Sequence, residues 1–312
     1  MAGLPLLPGF GEPLRYSAED AAAAVGIPLV QARQYWRALG YPTTGDTAVA
    51  FGASDVQLLR TISGYVSENV MTEADTLRLT RVLTRAIAHL AHLQVEILAS
   101  QQARARAGGI DVVEQMMHRM PEVQRVLGQI WARQLAGAMR AFEADADADP
   151  GAAVAVGFAD IVDFTELSRH RTDSELTRIV GRFEFRSTQV IFESGGSVVK
   201  TLGDEVLFTA HDAAAVADIA TRLIAQFAAD RDIPGLRVGV ALGPVIRYLG
   251  DIFGVTVNLA SRLTTLADPD TVLAAPAVAE ALAAHPGFHL KPLPDTEIRG
   301  IGTVAPVLVE RQ

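Results

Sequence analysis

An α+β fold preceded by an all-α region is what this sequence predicts, and three observations predict it. From Tyr16 to about Phe142 the apolar residues recur at helical spacing, without the alternation of strands. An acidic, turn-forming stretch, EADADADPG at 143–151, then breaks the pattern. Beyond it, short apolar runs alternate with helix-periodic stretches, and SVVKTLGDEVLFT at 197–209 reads as an antiparallel hairpin turning at Gly203-Asp204. The expected division is an all-helical domain over 1–143, a linker over 144–151 and a second domain over 152–312, with helices over one sheet.

Composition narrows the function. The chain has 312 residues, 49% hydrophobic and 20% charged, which fits two globular domains and excludes a disordered chain. Net charge is 27 − 36 = −9, which argues against a broad nucleic-acid-coating surface. There is no cysteine, so disulfides, thiolate metal sites and cysteine nucleophiles are excluded, and a cytoplasmic location is expected. No apolar run approaches the roughly 18–20 residues of a membrane span. The opening MAGLPLLPGFGEP lacks a charged first segment and a long apolar core, so it does not read as a signal peptide.

In order along the chain, residues 1–15 are rich in Pro and Gly and read as an extended arm. Ser17, with Asp20 three residues on, starts a short helix that Gly26 ends; Pro28 suits the first turn of the next. Helix, turn, helix over 16–40 resembles the N-terminal part of MerR-type domains, but the few basic residues make DNA an unfavoured partner. A small helical module packed on its neighbours is the plainer reading. Asp55 to Gln102 is helical, with a break near Asn69–Thr72, where Thr72 and Asp75 restart it. The apolar residues from Leu77 to Leu98 are too many for one narrow stripe and predict burial on more than one side, as in a dimer. Gly108-Gly109 precedes a segment from Asp111 to Arg119, and Pro121 opens a last helix through about Phe142. His89, His92 and His118 read first as ordinary surface or core histidines, and alternatively as a proton sensor. Met116, Met117, Met120 and Met139 read as core filler, or as the lining of an adaptable apolar cavity.

The second half begins with a strand at 152–159, helices at Phe164–Arg169 and Ser174–Ser194, and the hairpin. Asp212 caps a helix over Ala213–Ala229. A strand over Leu236–Leu242, a shorter one over Val245–Leu249, a helix over Val255–Leu266, the strand TVLAA, the helix PAVAEALAA and a final strand over Ala305–Val309 complete the pattern. Asp204 stands on the hairpin tip, and a carboxylate fixed on a rigid turn is a good ligand for a hard cation. Such an ion needs a second carboxylate, and Asp160 supplies one just past an apolar strand.

Four pieces belong together: FADIVDFT at 158–165, VVKTLGDEVLF at 198–208, GDIFGVTVNLASRL at 250–263 and EIRGIG at 297–302. In this order they closely resemble the catalytic domain of class III nucleotide cyclases, from about Ala152 to the C-terminus. With the helical region ahead of it, the chain is similar to actinobacterial two-domain cyclases. The resemblance implies a ferredoxin-like βαββαβ core behind an all-α regulatory domain that restrains catalysis and answers to protons or lipid. It implies an adenylyl cyclase that turns ATP into 3′,5′-cyclic AMP and pyrophosphate. Asp160, the Ile161 carbonyl and Asp204 would hold two Mg²⁺ or Mn²⁺ ions per site. The turn opening the Phe164 helix, with Phe164 and Thr165, would meet the phosphates through backbone N–H groups. Lys200 and Asp251 match the base-selecting pair: a carboxylate accepts from the adenine amino group and an ammonium donates to N1, whereas guanine reverses both features. Asn258 and Arg262, four apart on one helix face, would orient the ribose and neutralise the transferring phosphoryl group. Arg299 matches a lysine that contacts the triphosphate in relatives.

Sites of this family form between two catalytic domains, so the resemblance also implies a head-to-tail homodimer with two sites. Two departures stand out. Asp163 occupies a position where relatives usually have Gly; it would repel the triphosphate, cap the following helix or join the metal shell. Only Val245 to Gly250 separate Pro244 from Asp251, a shortened arm that leaves the N-terminal helices to help hold the dimer. The competing readings are a catalytically weak nucleotide sensor, a DNA-binding regulator with a cyclase-like domain, and a guanylyl cyclase.

Overall fold

The computed structural model describes residues 12–42, 45–105, 112–145 and 153–312. The arm expected at the N-terminus, the Gly108-Gly109 break and most of the linker lie largely or wholly outside the described residues. The chain divides into two compact units, Met1–Glu143 and Ala144–Gln312.

In the first unit, Ser17 caps α1 (Ala18–Val25) through a reciprocal box with Asp20, and Gly26 ends it in the left-handed conformation at φ 80°. Pro28 is the cap of α2 (Leu29–Ala38) and not part of its first turn. With α3 (Ala53–Ser67), these helices bury Tyr35, Trp36, Phe51, Leu59 and Ile62 in one small core. Trp36 stacks on Phe51 at 4.3 Å between ring centroids. Asn69 turns the chain at φ 55°, and Thr72 accepts from the Asp75 N–H to start α4 (Glu73–Ala105). The two remaining helices are α5 (Val112–His118) and α6 (Met120–Asp145). The burial expected along α4 is not met within one chain: Leu79, Leu83, Ile87, Leu93, Val95 and Ile97 are each 45–65% exposed. His89, His92 and His118 are exposed. Met117 is buried but Met139 is 55% exposed, so the four methionines do not line one cavity.

The second unit is built on β1 (Val154–Ile161), which pairs antiparallel with β3 (Glu205–Ala210) and β4 (Leu236–Gly243). β2 (Ser197–Leu202) completes the hairpin with β3; β7 (Thr271–Ala274), β11 (Val307–Arg311) and β8 (Phe288–Pro292) extend the sheet to seven strands. The order β2-β3-β1-β4, running in from one edge of the sheet, is the ferredoxin-like arrangement. Helices cover both faces because β1 is apolar on both. Ala155, Ala159 and Ile161 point towards α8 (Asp173–Glu193) and α9 (Ala213–Phe227). Val156 and Phe158 point towards α10 (Val255–Leu266). At Gly239 on β4 an added Cβ would lie 2.3 Å from both the Ala260 carbonyl oxygen and the Thr264 nitrogen, so α10 rests directly on the backbone of that strand. The remaining pieces are α7 (Phe164–Arg169), α11 (Pro276–Leu282) and the small ribbons β5 (Ile246–Tyr248) with β6 (Asp251–Phe253) and β9 (Thr296–Ile298) with β10 (Gly302–Val304).

Candidate active site

Strand register assembles the acidic centre. Asp160 sits across from Glu205 on one neighbouring strand and from Arg237 on the other. Residues paired in this way point to the same face, so an acid, an acid and a base form a row across three strands. That face is the one on which α10 packs. Gly203 takes the positive φ (68°) that the hairpin turn requires. The turn brings the Asp204 carbonyl to within 3.1 Å of the Ile161 N–H, which it accepts. The hairpin tip is thereby fastened to the end of β1.

Burial, the neighbouring charges of Asp204 and Glu205, and a hydrogen bond with Asp204 push the Asp160 carboxyl up to about 7; Arg237 opposes them. Burial and Asp204 likewise raise Glu205, against the pull of Lys200. Carboxyls crowded together in a half-buried cleft make a site short of positive charge. Hard oxygen donors of this kind suit Mg²⁺ or Mn²⁺. Among the described residues no group of three His, Cys, Asp or Glu could hold a metal ion. The Ile161 carbonyl, water and phosphate oxygens would have to complete the shell.

Asp163 explains why glycine would suit its place: it is left-handed, at φ 51°, ψ 34°. It stands at the cap position of α7 but makes no capping hydrogen bond, so capping is not its role. Its carboxylate instead lies 3.4 Å from an Arg237 Nη2. Phe164 and Thr165 open α7 directly after it.

A second cluster forms where β2 meets β6. Lys200 Nζ donates to Asp251 Oδ2 at 2.6 Å and lies 5.8 Å from the centre of the Phe253 ring. Burial works against ionisation of Asp251, but Lys200 and the Ile252 N–H outweigh it and hold the carboxyl below its ordinary range. Asn258 and Arg262 project from the exposed side of α10, whose other side buries Val257, Ala260 and Leu263. Arg299 is exposed just beyond β9. Among the described residues none of these three makes a side-chain hydrogen bond or ion pair with the acidic centre. Within one chain, then, Asp160 meets Asp204 and Lys200 meets Asp251, while Asn258, Arg262 and Arg299 face outward. Sequence reasoning missed Arg237. The available signal was its place in LRVGV: next to buried Leu236 and Val238, it had to share a face with either the core or the acidic row.

Residues 147–310 match the family model described as the adenylate and guanylate cyclase catalytic domain. The chain is 36% identical, over 97% of its length and 87% of the relative's, to an adenylate cyclase of Streptomyces coelicolor. It is 35% identical, over 92% of its length and 76% of the relative's, to an adenylate cyclase of Glutamicibacter nicotianae. A pH-sensitive adenylate cyclase of Mycobacterium tuberculosis is 29% identical over 91% of this chain and 75% of that one. No helix among the described residues is long and apolar enough to cross a membrane.

Proposed function

This chain belongs to the adenylate and guanylate cyclase catalytic-domain family, and we propose that it is a homodimeric adenylyl cyclase making 3′,5′-cyclic AMP and pyrophosphate from ATP. The observation that carries the choice of nucleotide is the Lys200–Asp251 pair, held at 2.6 Å on two adjoining ribbons. Its donor and acceptor complement the edge of adenine and would be mispaired with guanine. The similarity to adenylate cyclases over most of the chain supports the same reading.

Asp160 and Asp204, with the Ile161 carbonyl, are the groups that would hold the two divalent ions. Bound there, Mg²⁺ or Mn²⁺ supplies charge neutralisation of the triphosphate and lowers the pKa of the ribose 3′-hydroxyl. The chain's own residues do the rest by position and charge. The N–H groups at Phe164 and Thr165, together with Arg237 and Arg299, meet phosphate oxygens; Arg237 is assigned here because it lies in the same row as Asp160. Asn258 holds the ribose so that its 3′-oxygen is in line with the α-phosphorus. As the 3′-oxygen, its proton passed to water, bonds to the α-phosphorus, the bond from that phosphorus to the oxygen bridging to the β-phosphate breaks and pyrophosphate leaves. Arg262 stabilises the charge on the transferring group. No protein nucleophile is needed.

The outward direction of Asn258 and Arg262 supports a site completed by a second copy. Each head-to-tail dimer would hold two sites, with the acidic centre of one copy facing the base-reading pair and α10 of the other. Purified protein with Mn²⁺ is expected to form cyclic AMP from ATP about 10²-fold faster or more than cyclic GMP from GTP. Equal rates, or no product from either, would remove the assignment.

The helical unit is proposed to restrain this activity through α6 and the linker, in response to protons or lipid. The M. tuberculosis relative described as pH-sensitive supports the proton arm. Protein beginning near Ala152 is expected to be faster than the full chain and to show a different pH profile. Identical pH profiles for two equally dimeric proteins would sink the regulatory role.

A further inference from the structure

We propose that Asp163 is an internal stand-in for a substrate phosphate: its carboxylate holds the Arg237 guanidinium, and the triphosphate must displace it to bind. The inference deepens the cyclase reading and rests on it for the identity of the substrate.

The geometry is specific to this pair. Asp163 is at a cap position, where a carboxylate ordinarily accepts from the first turn of its helix, yet it makes no such bond and turns to a cation on β4. The left-handed backbone at φ 51° fixes that direction, and few residue types tolerate it. Arg237 keeps donors in reserve: its Nε is buried and has no partner among the described residues, and its side chain is 27% exposed. A single contact of 3.4 Å from a carboxylate that is 68% exposed is a weak hold. A phosphate, with more charge and several oxygens, fits the guanidinium fork better and would win the exchange.

The test replaces the charge and keeps the shape. Asp163→Asn tolerates the same backbone. It is expected to tighten binding of inorganic tripolyphosphate, read by calorimetry without metal, by about two- to fivefold. KM for ATP should fall by the same factor with kcat unchanged. The gain should shrink towards unity in about 1 M salt, where charges are screened beyond roughly 3 Å. It should also vanish in an Arg237→Gln background, with Arg237→Lys as the folded, still-cationic control if the glutamine protein melts early. Unchanged tripolyphosphate affinity, or a gain that survives Arg237→Gln, overturns the exchange. Weaker binding together with a higher metal requirement would instead make Asp163 a ligand of the substrate's cations, which also overturns it. The calorimetric arm needs no turnover. Protein that binds tripolyphosphate as expected but makes no cyclic AMP would refute the cyclase assignment and leave Asp163 as the competitor.

Discussion

Asp204→Ala and Arg262→Ala are each expected to be inactive alone, and a mixture of the two to recover about a quarter of the wild-type rate. Loss of a carboxylate from the acidic centre removes half of what would hold the ions. Loss of a guanidinium that acts only on the transferring phosphoryl group costs about 10³-fold or more. Random pairing of equal amounts puts about half of the chains in mixed dimers. Each mixed dimer has one site with both defects and one with neither, so about one site in four is intact. The outward-facing Arg262, for which no ion pair is seen among the described residues, is the reason to expect recovery. Rates of cyclic AMP formation after co-refolding, alongside sedimentation to show exchange of subunits, read the result. Mixed dimers that stay dead would mean that each site is built within one chain, and the assembly proposed above would fall.

Asp160→Asn should lose activity by a comparable factor and yet make the metal-free protein more stable. In the folded chain the carboxyl is raised to about 7 by burial and by its acidic neighbours. A raised acid contributes its stability fully below its unfolded pKa, near 4, and loses it as pH climbs through 7. Wild type therefore carries the penalty of the ionised form at pH 8, and the asparagine variant does not. With solvent screening of this half-exposed group, the gain is about 1–2 kcal/mol, or about 2–8 °C in Tm. It should fade as pH drops from 8 to 4. Thermal melts of both proteins in chelator across that range decide the matter. A variant that melts lower than wild type at pH 8 would show that the carboxylate is favourably held by the protein itself, and that no cation is needed there.

How far the sequence could be read depended on the range of the cause. Caps and turns are local, so Ser17 with Asp20, Thr72 with Asp75 and the Gly203-Asp204 turn were all legible. β8, β6 and the β9–β10 ribbon were not, because FHLKP alternates weakly and three-residue strands carry no periodicity to detect. Asp160 with Asp204, and Lys200 with Asp251, were recognisable from their motifs, and the fold brings each pair together. Arg237 was invisible for a different reason. Its position depends on strand register between β1 and β4, which is set by residues some eighty positions apart. The same register explains Asp163: its sequence suggested three roles, and only the pairing with Arg237 separates them.

At Gly239, main chain meets main chain, with only the Thr264 hydroxyl beside the contact, between the strand that carries Arg237 and the helix that carries Arg262. In the head-to-tail dimer proposed above, those two arginines would serve different sites, so the thickness of two polypeptide backbones would set how far apart one chain holds its contributions to them.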